Sequence, residues 1–222
     1  MIATIVNTAA VVAGGLIGLL AKKGLPERIS KGIMAAIGLM LICSGVKGYF
    51  DGQSSIIAVL SLALGTGLGE LLRLEERLNH LGERIGARVS RSGGSRIGEG
   101  LVTATLLFCV GAMTVLGSLQ SGLAGDHTTL YTKSLMDFIS AILLASTYGI
   151  GVVLSAIGVL LYQGAITLLS GLLAPVMTEA AIAELSAVGS IVLVGLGLNL
   201  TGVAKLRVMN MVPSIFIAIV LA

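Results

Sequence analysis

The sequence predicts an all-α fold, a polytopic transmembrane helical bundle with roughly seven or eight membrane helices. Three observations carry that prediction. Charged residues make up 11% of the chain and hydrophobic ones 55%, with a mean hydropathy of +1.03. A soluble domain carries about 25% charge, so this chain has too little polar surface for water, and lipid is the solvent that suits it. Apolar stretches also recur at about the 20 residues that one helical crossing needs. Finally, the chain holds 31 glycines, which would weaken soluble helices but which membrane helices use where backbones approach closely.

Taken in order, Ile2–Ala21 is the first expected helix, followed by the basic turn KKGLPERISK. Gly32–Tyr49 is the second, closed by the polar turn DGQSS, and Ile56–Leu72 is the third. The third ends in GTGLGE, where Gly65 and Gly69 sit four apart and put two flat spots on one helix face. Arg73–Val89 changes character: Leu74, Leu78, Leu81, Ile85 and Val89 recur at helical spacing, with Arg and Glu on the other face. It reads as an amphipathic helix on the cytoplasmic membrane surface. Leu101–Leu116 is the fourth crossing. The apolar run from Ser134 to Ala174 is too long for one helix, so it splits into Ser134–Val153 and Ala156–Ala174, turning near Tyr148–Gly151. Glu179–Leu200 is the seventh, and Val212–Ala222 is a short eighth.

This organisation divides one integral domain into residues 1–72, 73–98 and 99–222. Alternating the loops puts twelve of the 14 Lys and Arg residues on one side, and only Lys47 and Lys133 on the other. By the positive-inside rule the rich side is cytoplasmic, both termini face outward, and the expected location is the bacterial inner membrane. AAIGLMLICSGV in the second helix echoes SAVGSIVLVGLG in the seventh. An inverted repeat would produce that echo, although Gly, Ala, Val and Leu strings match each other cheaply. Cys43 and Cys109 sit in apolar stretches and read as small core hydrophobes.

Polar chemistry concentrates in GSLQSGLAGDHTTLYTKSLMD, residues 117–137. Gln120, Ser121, Gly125, Asp126, Lys133, Ser134 and Asp137 are its candidate binding residues. Lys133 and Asp137 are four apart, the spacing of an ion pair on one helix face. An ionisable group at mid-helix in lipid costs roughly 2.5–3.5 kcal/mol, so such a group needs a partner or a wet cavity. A helix broken at GLAGD would expose backbone dipoles to an ion or charged solute. The plainer readings are an interfacial anchor for the pair and a helix cap for Asp126. Glu184 is the candidate inward-facing carboxylate of the seventh helix, and Glu70 is expected to pair with Arg73. Asn7, Gln163 and Asn199 read as hydrogen bonds between helices.

No phosphate loop, HExxH or Ser-His-Asp spacing appears, and no His/Cys cluster points to zinc or copper. An enzyme is therefore not expected, nor a cofactor, nor nucleic acid as a partner, while the question of a metal stays open. The basic residues lie in short connections between apolar segments.

Three stretches carry a resemblance: VNTAAVVAGGLIGLL, GTGLGELLRLEERL and GAMTVLGSLQSGLAGDHTTLYTKSLMDFISA. The chain resembles the YdfK/YqgA-like family of bacterial inner-membrane proteins, a domain of unknown function, over nearly its whole length. The resemblance implies a polytopic membrane protein of this size and adds weight to Gly125, Asp126, Lys133, Ser134 and Asp137. It supplies no substrate. The expected partners are the lipid bilayer and a small ion or polar solute, handled by a secondary transporter or channel-like carrier. The alternative is a membrane scaffold or assembly protein without transport. A homodimer is compatible with so small a bundle.

Overall fold

The computed structural model describes residues 1–22, 27–77, 80, 94–109 and 112–222. Among these the chain is helical and forms no strand. The helices are α1 (Ile2–Lys22), α2 (Glu27–Tyr49), α3 (Ser55–Leu72), α4 (Gly94–Cys109), α5 (Ala112–Leu123), α6 (Thr128–Tyr148), α7 (Ile150–Leu168), α8 (Ser170–Leu173), α9 (Glu179–Leu200) and α10 (Pro213–Leu221). Five of the described helices are long and apolar enough to cross a membrane, or six if α4 and α5 form one bent span. The residues sort into two compact units, each discontinuous in sequence.

The first unit holds Met1–Met34, Arg77–Cys109 and Met113–Gly171. Its organising helix is α1, whose buried face reads Ala3, Thr4, Asn7, Val11, Gly14 and Gly18 at helical spacing. Gly14 and Gly18 lie against the main chain of Phe138 and Ile142, where any Cβ would collide. Those successive contacts make α1 and α6 parallel. α7 runs antiparallel to α1, because Gly15 meets Val153 and Thr4 meets Thr167. α4 runs along α7 in the same direction, with Gly151 against Ile97 and Gly158 against Thr105. Thus α6 and α7 run in opposite directions with α1 in contact with both, although α6 is not among the five helices long and apolar enough to cross a membrane.

The turn between α6 and α7 falls at Gly149, inside the expected interval. Its φ of 82° and ψ of −144° belong to a region open only to glycine. Both helices nevertheless begin six residues earlier than hydropathy indicated. The polar run TTLYTK, taken for a connection, is the first turns of α6. Its side chains find partners inside the unit, so polarity does not stop the helix. The expected fourth crossing, Leu101–Leu116, is also corrected. It divides into α4 and α5, bent by 60° between Ile97–Cys109 and Met113–Leu123. The Thr114 hydroxyl donates to the Phe108 carbonyl at 3.1 Å, satisfying an acceptor at the end of α4.

The second unit holds Ala35–Glu76 and Leu172–Ala222. α9 is its centre and is buried over most of its length, whereas α2 and α3 leave most of their surface outside. α2 and α9 pack antiparallel through Gly38 against Gly197 and Gly45 against Ser190. The Gly65 and Gly69 face meets the main chain of Ser214 and Asn210. The expected eighth helix begins as a 3-10 turn, Val208–Met211, and continues as α10 from Pro213, whose fixed φ suits a first helical position. At nine residues, α10 is about 14 Å long, roughly half the hydrocarbon core.

Arg73 closes α3 with a left-handed φ of 51°, so the start of the expected amphipathic segment is a helix end. Most of Arg73–Val89 lies outside the described residues. Glu70 pairs with Arg207 at 3.0 Å, correcting the expected Arg73 partner; Arg73 lies 3.9 Å from Glu76. Asn199 clamps the basic turn rather than a neighbouring helix, accepting from the Leu206 N–H and donating to its carbonyl, each at 2.7 Å. Cys109 is buried as expected, but Cys43 is exposed.

Candidate functional site

The polar residues of the first unit meet on the buried faces of α1, α6 and α7. Lys133 Nζ donates to both carboxylate oxygens of Asp137, at 2.8 and 2.6 Å. The residues are 6% and 5% exposed, so the pair is buried inside the unit. Asn7 of α1 donates its amide to Asp137 Oδ2 at 3.0 Å. One turn earlier on α1, the Thr4 and Thr167 hydroxyls lie 3.3 Å apart. Among the described residues of this unit, three buried amide atoms have no hydrogen-bond partner: Asn7 Oδ1 and both polar atoms of Gln163. Ser134, adjacent to Lys133 in sequence, instead donates to the Leu130 carbonyl at 2.7 Å.

Desolvating the pair is expensive, and its mutual attraction offsets that only when the remaining polar atoms are also satisfied. Asp137 accepts three such bonds, so its charge is well matched. The unmatched groups are neutral amides, which have donor and acceptor capacity to offer a polar solute.

A second group surrounds the turn between α5 and α6. Gln120 Oε1 accepts from the Thr129 hydroxyl at 2.8 Å, and Ser121 Oγ lies 3.0 Å from His127 Nδ1. Gly125 takes a φ of 68° to make the turn. Asp126 Oδ1 accepts the Thr128 N–H at 3.0 Å, which starts α6 in the manner of an Asx turn. That backbone bond, with a further side-chain bond from Thr128, holds the Asp126 carboxyl below its usual range. The helix break expected at GLAGD is therefore present, with its acidic residue spent on the turn.

Glu184 belongs to the second unit. It is 1% exposed, whereas Glu179, five residues earlier, is exposed. Its Oε1 accepts the N–H groups of Gln53 and Ser54, both at 2.7 Å. The eight expected residues thus fall into three groups: Lys133 and Asp137 with Ser134 beside them, the turn with Gln120, Ser121, Gly125 and Asp126, and Glu184. Sequence reasoning missed Thr4, Thr129 and Thr167. Thr4 and Asn7 share a helix face with Gly14 and Gly18, a spacing that flags them. Among the described residues no group of three or more His, Cys, Asp or Glu could hold a metal ion.

The surface is inverted relative to this interior. Large apolar side chains are exposed along the helices, including Leu20, Leu71 and Leu161 at 73%, 80% and 67%. Polar groups inside and hydrocarbon outside is the arrangement lipid selects. Residues 2–222 match the model of a family described as "Protein of unknown function (DUF554)". The chain belongs to the DUF554 family. This DUF554 protein is 34% identical over 221 residues to "Uncharacterized membrane protein YdfK" of Bacillus subtilis (strain 168), covering 98% of this chain and 93% of that one. It is 29% identical over 226 residues to "Uncharacterized protein YqgA" of Escherichia coli (strain K12), covering 100% and 96%. No solved structure matches it. It is a helical membrane protein, and its DUF554 relatives bring no substrate with their names.

Proposed function

We propose that this DUF554 protein is a gradient-driven carrier or channel for a small ion or polar solute, and not an enzyme. The observation that supports it is the buried Lys133–Asp137 pair, bridged by Asn7 to α1 and accompanied by the unpartnered amide atoms of Asn7 and Gln163. A proton or cation reaching Asp137 competes with Lys133 for the same oxygens. Freed Lys133 then becomes a positive group able to hold an anionic end of a solute. A bound charge and a released counter-charge are what a carrier needs to couple two species. Asp126 anchors the turn in this reading, and Gln120 and Ser121 order it.

The proposal takes the bundle as seven or eight crossings in the bacterial inner membrane, with the basic loops cytoplasmic and both termini outside. The opposed directions of α6 and α7 support the split that this count needs. It also admits an inverted repeat and a homodimer, which comparison of α2 with α9 and cross-linking in native membranes would address.

The test is flux into proteoliposomes, with proton, sodium, potassium, amino-acid and organic-acid gradients applied in turn. Asp137→Asn, inserted and folded, is expected to abolish a flux that wild type supports. Absence of any flux in wild type, with normal reconstitution, would favour the scaffold reading. One observation favours that rival: Lys133 and Asp137 satisfy each other at 2.6–2.8 Å, as interhelical glue would.

A further inference from the structure

The second unit contains a buried carboxylate that the carrier reading leaves unused. Glu184 lies within the first two turns of α9 and is 1% exposed. Its two oxygens have different surroundings. Oε1 is held by the backbone N–H groups of Gln53 and Ser54, while Oε2 is buried without a hydrogen-bond partner. Glu184 lines a cavity of about 250 Å³, together with Tyr49, Phe50, Ser54, Ser55 and Ala187. Among the described residues, none of those lining the cavity is Lys, Arg or His.

We infer that this cavity is a cation site for a primary ammonium group, with Glu184 Oε2 as its counter-charge. A buried carboxylate with one uncommitted oxygen is stabilised by a positive partner, because its desolvation costs several kcal/mol that two N–H donors on the other oxygen offset only in part. The lining chemistry selects the kind of cation. A hard metal ion such as calcium wants about six to eight oxygens at contact distance, and here a single carboxylate faces a space many times an ion's volume. An ammonium group needs three acceptors and tolerates an aromatic wall. Tyr49 and Phe50 provide that wall, their rings edge-to-face with centroids 5.6 Å apart. The Tyr49 and Ser55 hydroxyls, 3.1 Å from each other, add acceptors beside the carboxylate. Phe50, which lines the cavity, is 77% exposed, so an apolar group suited to lipid stands at the site. Its ammonium can come from a free amine or from the ethanolamine headgroup of a phospholipid.

The inference does not rest on transport, and its test reads binding alone. Full-length protein in detergent is melted with ethanolamine hydrochloride, and with sodium or potassium chloride at equal ionic strength. In parallel it is melted in nanodiscs of phosphatidylethanolamine with phosphatidylglycerol, or of phosphatidylglycerol alone. Ethanolamine is expected to raise the melting temperature where sodium and potassium do not. A shift confined to the phosphatidylethanolamine nanodiscs assigns the headgroup as the source. Glu184→Gln keeps an oxygen for the Gln53 and Ser54 amides and removes the charge, so it should fold and bind about tenfold more weakly or worse, as for loss of a charged hydrogen bond. Tyr49→Leu provides a second variant, which should fold and also bind more weakly. Equal shifts from sodium or potassium, a shift that persists in Glu184→Gln, or no shift in either medium would overturn the inference. Loss of flux in Asp137→Asn with an intact ethanolamine shift leaves this site standing, and the converse leaves the carrier reading standing.

Discussion

Lys133 and Asp137 show how far one buried pair can be pressed for an answer. Removing either partner alone leaves an uncompensated charge and should cost about 3–5 kcal/mol, whereas replacing both with apolar residues of similar size is close to neutral. Lys133→Met and Asp137→Leu are therefore each expected to lower the melting temperature, and the double variant to recover most of the loss. If the pair serves transport, the recovered double variant still carries no flux; full flux in it would end that role. Asp126 gives a prediction of opposite character. Its carboxyl is held below the usual aspartate value of 3.8 by the Thr128 N–H. A depressed folded-state value means a contribution present above the unfolded value and lost as pH falls through the folded one. The protection of the Thr128 amide, its exchange rate measured against the intrinsic rate at each pH, is expected to fall on acidification below about pH 4. Asp126→Asn should make that protection insensitive to pH in this range. The pair was legible in the sequence, since four-residue spacing on a helix suffices. Asn7 as its third member was not, because the bond joins residues 130 apart.

At the scale of the element, close approach of helices depends on particular glycines. Gly69 faces the Asn210 main chain, and Gly14 the Phe138 carbonyl. Backbone cannot move aside as a flexible side chain can, so Gly69→Leu or Gly14→Leu should destabilise its unit by about 3 kcal/mol or more. Thermal melting and protease resistance of the purified variants would measure it. Arg73 is the converse case. It ends α3 in a left-handed conformation costly for any residue with a Cβ. Its contact with Glu76 is exposed and weak at 3.9 Å. Arg73→Gly is thus expected to stabilise by up to about 1 kcal/mol, and a lower melting temperature would contradict that account. The Gly65–Gly69 face and the breaks at Gly125 and Gly149 could be read from sequence, because glycine's effect is local. The extent of α6 could not. Hydropathy treats TTLYTK as a loop, yet a helix needs only its backbone bonds and a place for its polar side chains.

For the whole molecule, the contrast between apolar surface and polar interior predicts different fates for the two thiols. Cys43 is exposed and Cys109 buried. In detergent, a small apolar maleimide that enters the micelle should label Cys43 while the protein is folded, and Cys109 only after denaturation. Prompt labelling of both would contradict the packing of α4. Sequence alone determined the membrane class, the chain breaks at Gly125 and Gly149 and the Lys–Asp pair, since composition, glycine position and helical spacing are local properties. Only the tertiary structure decided which polar atoms meet. Apolar helices are interchangeable to hydropathy, so nothing in the sequence shows that Glu184 holds a loop 131 residues away or that Glu70 belongs to Arg207. Those pairings follow from which glycine faces let which backbones come together, and packing settles that over the whole chain.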